Sequence, residues 1–327
     1  MNRVPYTERC ALRSSDENRQ WLRRAVAPRK AADMTATGIA LPSIAEMLRG
    51  YSIEVNPRDS KVVDAATDRL DPGTEVFLTW IPGANPMDMV GPAARLRRAG
   101  LLPVPHVGAR HLESAAQLEQ FANRLVSEAD VDRILIVGGD RGKPAGPYDC
   151  SLAVMRTGVF QKAGIFRMAV AGFPEGNPNI SDIALDEALE GKVNFARDAR
   201  LQLSINTQFC FRSEPIVEWL QRIRSRGIDT PVRVGLVGPS GLITLARYAV
   251  RCGVGNSLRL LSEHPSFVGV IEKGPEPIIR GIATVAGSES TASLPLGITG
   301  VHFFVFGGFH KTVDWINHQR ARQPALG

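Results

Sequence analysis

From residue 51 onward, short apolar runs rich in β-branched residues alternate with longer stretches whose apolar positions recur every three or four residues. Runs at 51–55, 75–80, 102–107, 133–137, 167–173, 203–211, 232–237 and 300–306 have the length and composition of buried strands. Segments such as 88–99, 114–128, 215–226 and 241–252 have the helical period. In the second of these, Ala115, Leu118, Phe121, Ala122 and Leu125 make one apolar stripe. Eight strands with helices between them predict a (β/α)8 barrel, whose usual length of about 250 residues this stretch matches. A doubly wound open sheet is the competing architecture, but no G-x-G-x-x-G follows the first strand. The spacing between the seventh and eighth strands is long, so extra helices are expected within 240–295. The pattern divides the chain into an irregular extension over 1–42 and a barrel over 43–327, with a short helix at 43–49 leading into the first strand.

Composition narrows the class. With 327 residues, 44% of them hydrophobic, the chain has enough apolar material for a large core. Its net charge of +6 is uneven: residues 1–50 hold nine Lys and Arg against five acids, and so carry most of the excess. The bases are scattered and not gathered into a stripe with aromatic platforms, which argues against a nucleic-acid surface. The four cysteines, at 10, 150, 210 and 252, form no C-x-x-C pair, so neither a disulfide framework nor a zinc site is expected. No run of 18 apolar residues predicts a membrane span, and the first residues lack the apolar core of a secretory signal. These features together predict a soluble cytoplasmic protein with a small-molecule partner. Homo-oligomerisation is left open.

On a barrel, chemistry gathers at the carboxyl ends of the strands. Here those ends read "IEVNPRD", "LTWIPGAN", "VPHVGAR", "VGGDRG", "AGFPEGNP", "NTQFCF", "GLVGPSG" and "VFGGF". Glu54 stands between Ile53 and Val55, and a carboxyl pointing into a barrel is costly unless it is paired, protonated or used. Its other reading is an outward, solvated glutamate. Asp140 follows two glycines that give a ligand backbone room; alternatively it starts a turn. Gln208 offers a donor and an acceptor suited to a ring edge, or is a satisfied core amide. His106 has no second histidine or carboxylate at metal spacing, so no metal site is expected. No P-loop or nucleophile-elbow motif is present.

Taken in order from about residue 52 to 306, "EVNPR", "VPHVGAR", "GGD", "AGFPEGNP", "LEGKV", "NTQFCF" and "GVHFF" resemble the methylenetetrahydrofolate reductase family, in which the first element is Glu-Phe-Phe-Pro-Pro-Arg-like. The TQF-x-F and PE-x-x-P elements carry most of the specificity. The resemblance implies a flavin-containing barrel oxidoreductase that interconverts 5,10-methylene- and 5-methyltetrahydrofolate by hydride transfer with NADH or NADPH through FAD. It implies Glu54 as the general acid that opens the folate imidazolidine ring, and Asp140 as a second catalytic carboxylate beside pterin and flavin. Gln208 and Phe209 would contact the folate. Thr79, His106, Gly139, Tyr148, Phe173, Asn177 and Lys192 would line the flavin site, and Leu242 would meet the nicotinamide cofactor. The chain departs from the family pattern where Gly138 replaces an arginine, Asn177 a histidine, Leu185 and Ala188 an aspartate and an asparagine, and Leu242 an aromatic residue. Two variants of the reading stay open: a flavin-free reductase passing hydride directly from NAD(P)H, and a non-redox barrel that binds methyltetrahydrofolate for methyl transfer.

Overall fold

The computed structural model describes residues 44–81, 83–240, 274–287 and 295–322. The basic extension, the expected helix at 241–252 and Leu242 lie outside the described residues. Eight parallel strands close into a barrel in chain order. They are β1 (Ser52–Val55), β2 (Glu75–Leu78), β3 (Leu102–Gly108), β4 (Arg133–Val137), β5 (Arg167–Gly172), β6 (Gln202–Thr207), β7 (Val232–Val237) and β8 (Ile298–Phe304), and β8 pairs back onto β1. The alternating pattern therefore produces the (β/α)8 barrel it predicts.

Among the described residues the helices are α1 (Ile44–Met47), α2 (Ser60–Arg69), α3 (Val90–Arg98), α4 (Ala115–Ala129), α5 (Ser151–Met155), α6 (Val159–Lys162), α7 (Asp182–Asp198), α8 (Glu214–Ser225), α9 (Glu276–Gly287) and α10 (Phe309–Ala321). None is long and apolar enough to cross a membrane. Their buried stripes pack on the outward faces of the strands. Leu118, Phe121, Ala122 and Leu125 of α4 are fully buried, and the Ser114 side chain caps that helix by accepting from the Gln117 N–H. Where α8 crosses β5, the Trp219 ring presses so close to Gly172 that a Cβ there would lie 2.8 Å from it.

Several boundaries shift: β2 ends at Leu78 instead of 80 and β8 at Phe304 instead of 306. Strand β8 begins two residues before the expected run, at Ile298. Strand β6 stops at Thr207 instead of 211, because the Gln208 side chain turns back and its Oε1 accepts from the Phe209 N–H at 3.1 Å. One cysteine expectation is corrected. Cys210 is a buried free thiol, but Cys150 is disulfide-bonded. Sequence separation alone says nothing of which thiols the fold brings together.

Alternation along each strand sends every second side chain inward, and the stagger of a closed barrel sorts these into layers drawn from alternate strands. From the amino-terminal end of the barrel upward, the registers give Glu75, Arg133, Ser204 and Gly300; then Ser52, Val104, Ala169 and Arg233; then Phe77, Leu135, Asn206 and His302. Above these come Glu54, His106, Ala171 and Gly235, and at the upper rim Thr79, Val137, Gln208 and Phe304. The base is ionic: Glu75 bonds Arg133 at 2.5 Å and also bonds Arg233, while Asp132 bridges Arg133 and Arg167. Burial pushes the Glu75 carboxyl up, but the two guanidiniums more than offset this and hold it below the usual carboxylate range. Above the base, Phe77, Val104, Leu135 and Ala169 pack as an apolar plug. The polar layers above the plug face the carboxyl-end opening.

Candidate active site

Glu54 reaches the interior, not the solvent. Its neighbours Ile53 and Val55 are buried on the helix side, while its own side chain is 17% exposed inside the barrel. Its Oε2 lies 3.5 Å from Nε2 of His302, and the other ring nitrogen, Nδ1, is 2.9 Å from the Ser52 hydroxyl. Ser52, Glu54 and His302 thus form a chain across the β8–β1 seam. Phe77 packs edge-on against both imidazoles, with ring centroids 4.5 Å from His302 and 6.0 Å from His106.

This dry enclosure sets the charges. Burial pushes the Glu54 carboxyl up, with partial opposition from His106. Burial pulls His106 down to about 4, against Glu54 and with help from His302. His302 falls to about 3, through burial and then the nearby Arg233, with Glu75 opposing. At neutral pH both imidazoles are neutral, and Glu54 holds a proton more readily than a solvated glutamate. A protonated Glu54 can donate toward Nε2 of His302 while Nδ1–H donates to Ser52. A carboxylate can instead accept from Nε2–H, with Ser52 donating to Nδ1. Either tautomer leaves Glu54 with a partner, so it can lose or regain a proton without being stranded.

Asp140 occupies a second constellation at the rim. It is exposed, and its Oδ1 lies 2.7 Å from Nε2 of His111, which follows β3. The His111 ring is 5.6 Å from that of Trp80, which follows β2. Two glycines border this imidazole, and Gly139 is the one that cannot carry a side chain without displacing it. A Cβ on Gly139, whose φ is +93°, would lie 2.7 Å from His111, and one on Gly108 would lie 3.1 Å from the same ring. The "GGD" turn therefore gives room to an imidazole of the protein itself.

The other predicted residues divide by location. Gln208 stands at the rim of β6, with its amide oxygen engaged by the next peptide. Phe209 is fully buried among Phe211, Phe304 and Phe306. The Thr79 hydroxyl donates to the Val55 carbonyl at 3.3 Å. Tyr148 is buried in the loop after β4, and burial, then Glu119, raises its phenol. Phe173 and Asn177 lie in the loop after β5. The Asn177 side chain accepts from the Asn179 N–H at 2.9 Å, closing its own turn. Lys192 is buried on α7, and burial lowers its amine to about 8.

That set does not fit the diphosphate of FAD. Such a group needs several cationic donors aimed together. Here Gly138 supplies none, Asn177 is turned inward on its loop, His106 is neutral, and Lys192 alone carries a positive charge. The Arg110 guanidinium, near the "GGD" turn, donates to the carbonyls of Arg141, Gly142 and Asp149. It ties the loop after β4 together.

Two residues of these clusters escaped the sequence pattern. His302 sits inside "GVHFF", where its inward parity on an apolar strand was the available signal. His111 follows the third strand by three residues, and nothing in its local sequence sets it apart. No protein-family model matches the chain. The crystal structure of the 3-dehydroquinate dehydratase from Aquifex aeolicus VF5 is similar in fold, with a TM-score of 0.36 and 14% identity over 64% of this chain and 86% of that one. Nothing about chemistry passes from one to the other at that level of likeness.

Proposed function

We propose that this chain is an oxidoreductase of the methylenetetrahydrofolate reductase type, moving hydride between NAD(P)H and the 5,10-methylene/5-methyl pair of tetrahydrofolate without a tightly held flavin. The observation that carries the reading is Glu54: a carboxyl inside the barrel, raised by burial and backed by His302 and Ser52. Opening the imidazolidine ring of methylenetetrahydrofolate requires a proton on N10 as the C–N bond to the methylene carbon breaks. This leaves an iminium at N5. A carboxyl that burial pushes up, so that it holds its proton more readily than a solvated glutamate, is suited to that donation. Hydride from the reduced nicotinamide then adds to the iminium carbon, giving the N5-methyl group and oxidised dinucleotide. With His302 held in its Nε2–H tautomer throughout, the Ser52 hydroxyl donates to Nδ1 and Nε2–H meets the carboxylate left on Glu54. Asp140 and His111, at the rim, are placed to orient the polar part of a bound folate.

The test is direct. Purified protein is expected to oxidise NADH or NADPH in the presence of methylenetetrahydrofolate, and its absorbance spectrum to lack flavin bands. Glu54→Gln is expected to lower turnover by about 10²–10⁴-fold while folate affinity stays within a few-fold. Folate binding with no NAD(P)H oxidation would replace this reading with a methyl-handling barrel. A flavin spectrum that bleaches with NAD(P)H would restore FAD as the relay.

A further inference from the structure

The interior holds one amide that the reading above does not use. Asn206 lies on β6, where Ile205 faces the helices and Asn206 therefore faces inward. Its side chain is 5% exposed, yet neither Oδ1 nor Nδ2 has a hydrogen-bond partner. Leaving an amide buried with both ends unmade is costly, and most buried polar groups in folded proteins have a partner in protein, water or ligand.

The surroundings indicate what completes it. In the layer above Asn206, Ala171 offers only a methyl on the β5 side and Gly235 is packed against the Thr207 carbonyl and the Phe304 ring, while Glu54 and His106 stand tall on the β1–β3 side. The buried Nε2 of His106 is also without a partner. Two residues above Asn206 on the same face, Gln208 has its amide oxygen committed to the Phe209 N–H. A ring edge bearing adjacent N–H and C=O groups needs an acceptor and a donor side by side, and among these side chains the Asn206 amide keeps both free.

We infer that Asn206 is a specificity-determining substrate residue, its amide reading the adjacent donor and acceptor on the polar edge of the folate pterin ring. The inference rests on the folate reading and adds to it a residue and a contact. The geometry places this contact beneath the Glu54 layer, so the ring enters edge-first with its reactive side toward Glu54.

Two variants, Asn206→Leu and Asn206→Ala, test this by thermal melting without ligand and by titration with 5-methyltetrahydrofolate. Removing an amide that no protein group satisfies is expected to leave the melting temperature of the leucine variant unchanged or raised. Folate affinity is expected to fall by about 10–100-fold in both variants, as for a site built to hydrogen-bond a polar group it no longer meets. A leucine variant that melts well below the unmodified protein would mean that Asn206 is held within the fold, and would overturn the inference. So would a stable variant that binds folate with unchanged affinity, which leaves the folate reading intact. If the unmodified protein binds no tetrahydrofolate, the folate reading fails and the inference falls with it.

Discussion

Three side chains meet at the β8–β1 seam inside this barrel. Ser52, Glu54 and His302 form a hydrogen-bonded chain, and burial lowers the imidazoles of His302 and of the nearby His106. The pH dependence follows from their signs. A histidine whose folded pKa lies below its unfolded value of about 6.5 binds fewer protons when folded, so stability falls as pH drops from 6.5 toward 4 for His106 and toward 3 for His302. Glu54 works in the opposite sense. Folded, it keeps its proton above 4.5, so its contribution is lost as pH rises through its raised pKa. Thermal melting is expected to weaken steadily below pH 6.5. In His302→Asn, which keeps an acceptor near Ser52 and removes the titrating ring, that acid slope is expected to be shallower. An unchanged slope would show that other groups govern it.

At the level of elements, the site is positioned by contacts on the outside of the barrel as much as by those within. Strand β5 ends at Gly172, packed under Trp219 of α8, and the Gln208 N–H donates to the Gly172 carbonyl at 2.7 Å. This fixes the end of β6 against β5, and with it the height of Gln208. Gly172→Ala would put a methyl 2.8 Å from Trp219 and 2.9 Å from Ile205. Overpacking of that kind costs about 1–3 kcal/mol. A denaturant midpoint lowered accordingly, with a further loss of folate affinity, is the expected result. A stable variant with native affinity would detach the β5–α8 contact from the site.

For the whole molecule, the barrel separates two functions along its axis. The base is an ion-pair cluster around Glu75, 15% exposed, and the carboxyl end carries the acid and the amides. Breaking the cluster on one side leaves Arg133 and Arg233 facing each other without their shared counter-ion. Glu75→Ala is expected to destabilise the protein by about 3 kcal/mol, and chemical denaturation should show it. Activity per folded molecule should survive, because two layers of side chains separate Glu75 from Glu54. Loss of activity in a variant that folds normally would mean that the base communicates with the site, through Arg233 and His302.

Much of this was legible in the residues themselves. Strand length and helical period are local properties, so the barrel follows from the chain read a few residues at a time, whereas the inward placement of Glu54 was one of two readings that the sequence left open. Tertiary structure alone decided which groups meet. Glu54 and His302 are 248 positions apart, Ser52 and His302 are 250 apart, and Asp140 finds His111 across two strands. Such neighbours are set by how the sheet closes and by its stagger, which no local pattern encodes. The same closure left Asn206 buried with both ends of its amide open, and set the His111 imidazole against Gly139 of "GGD".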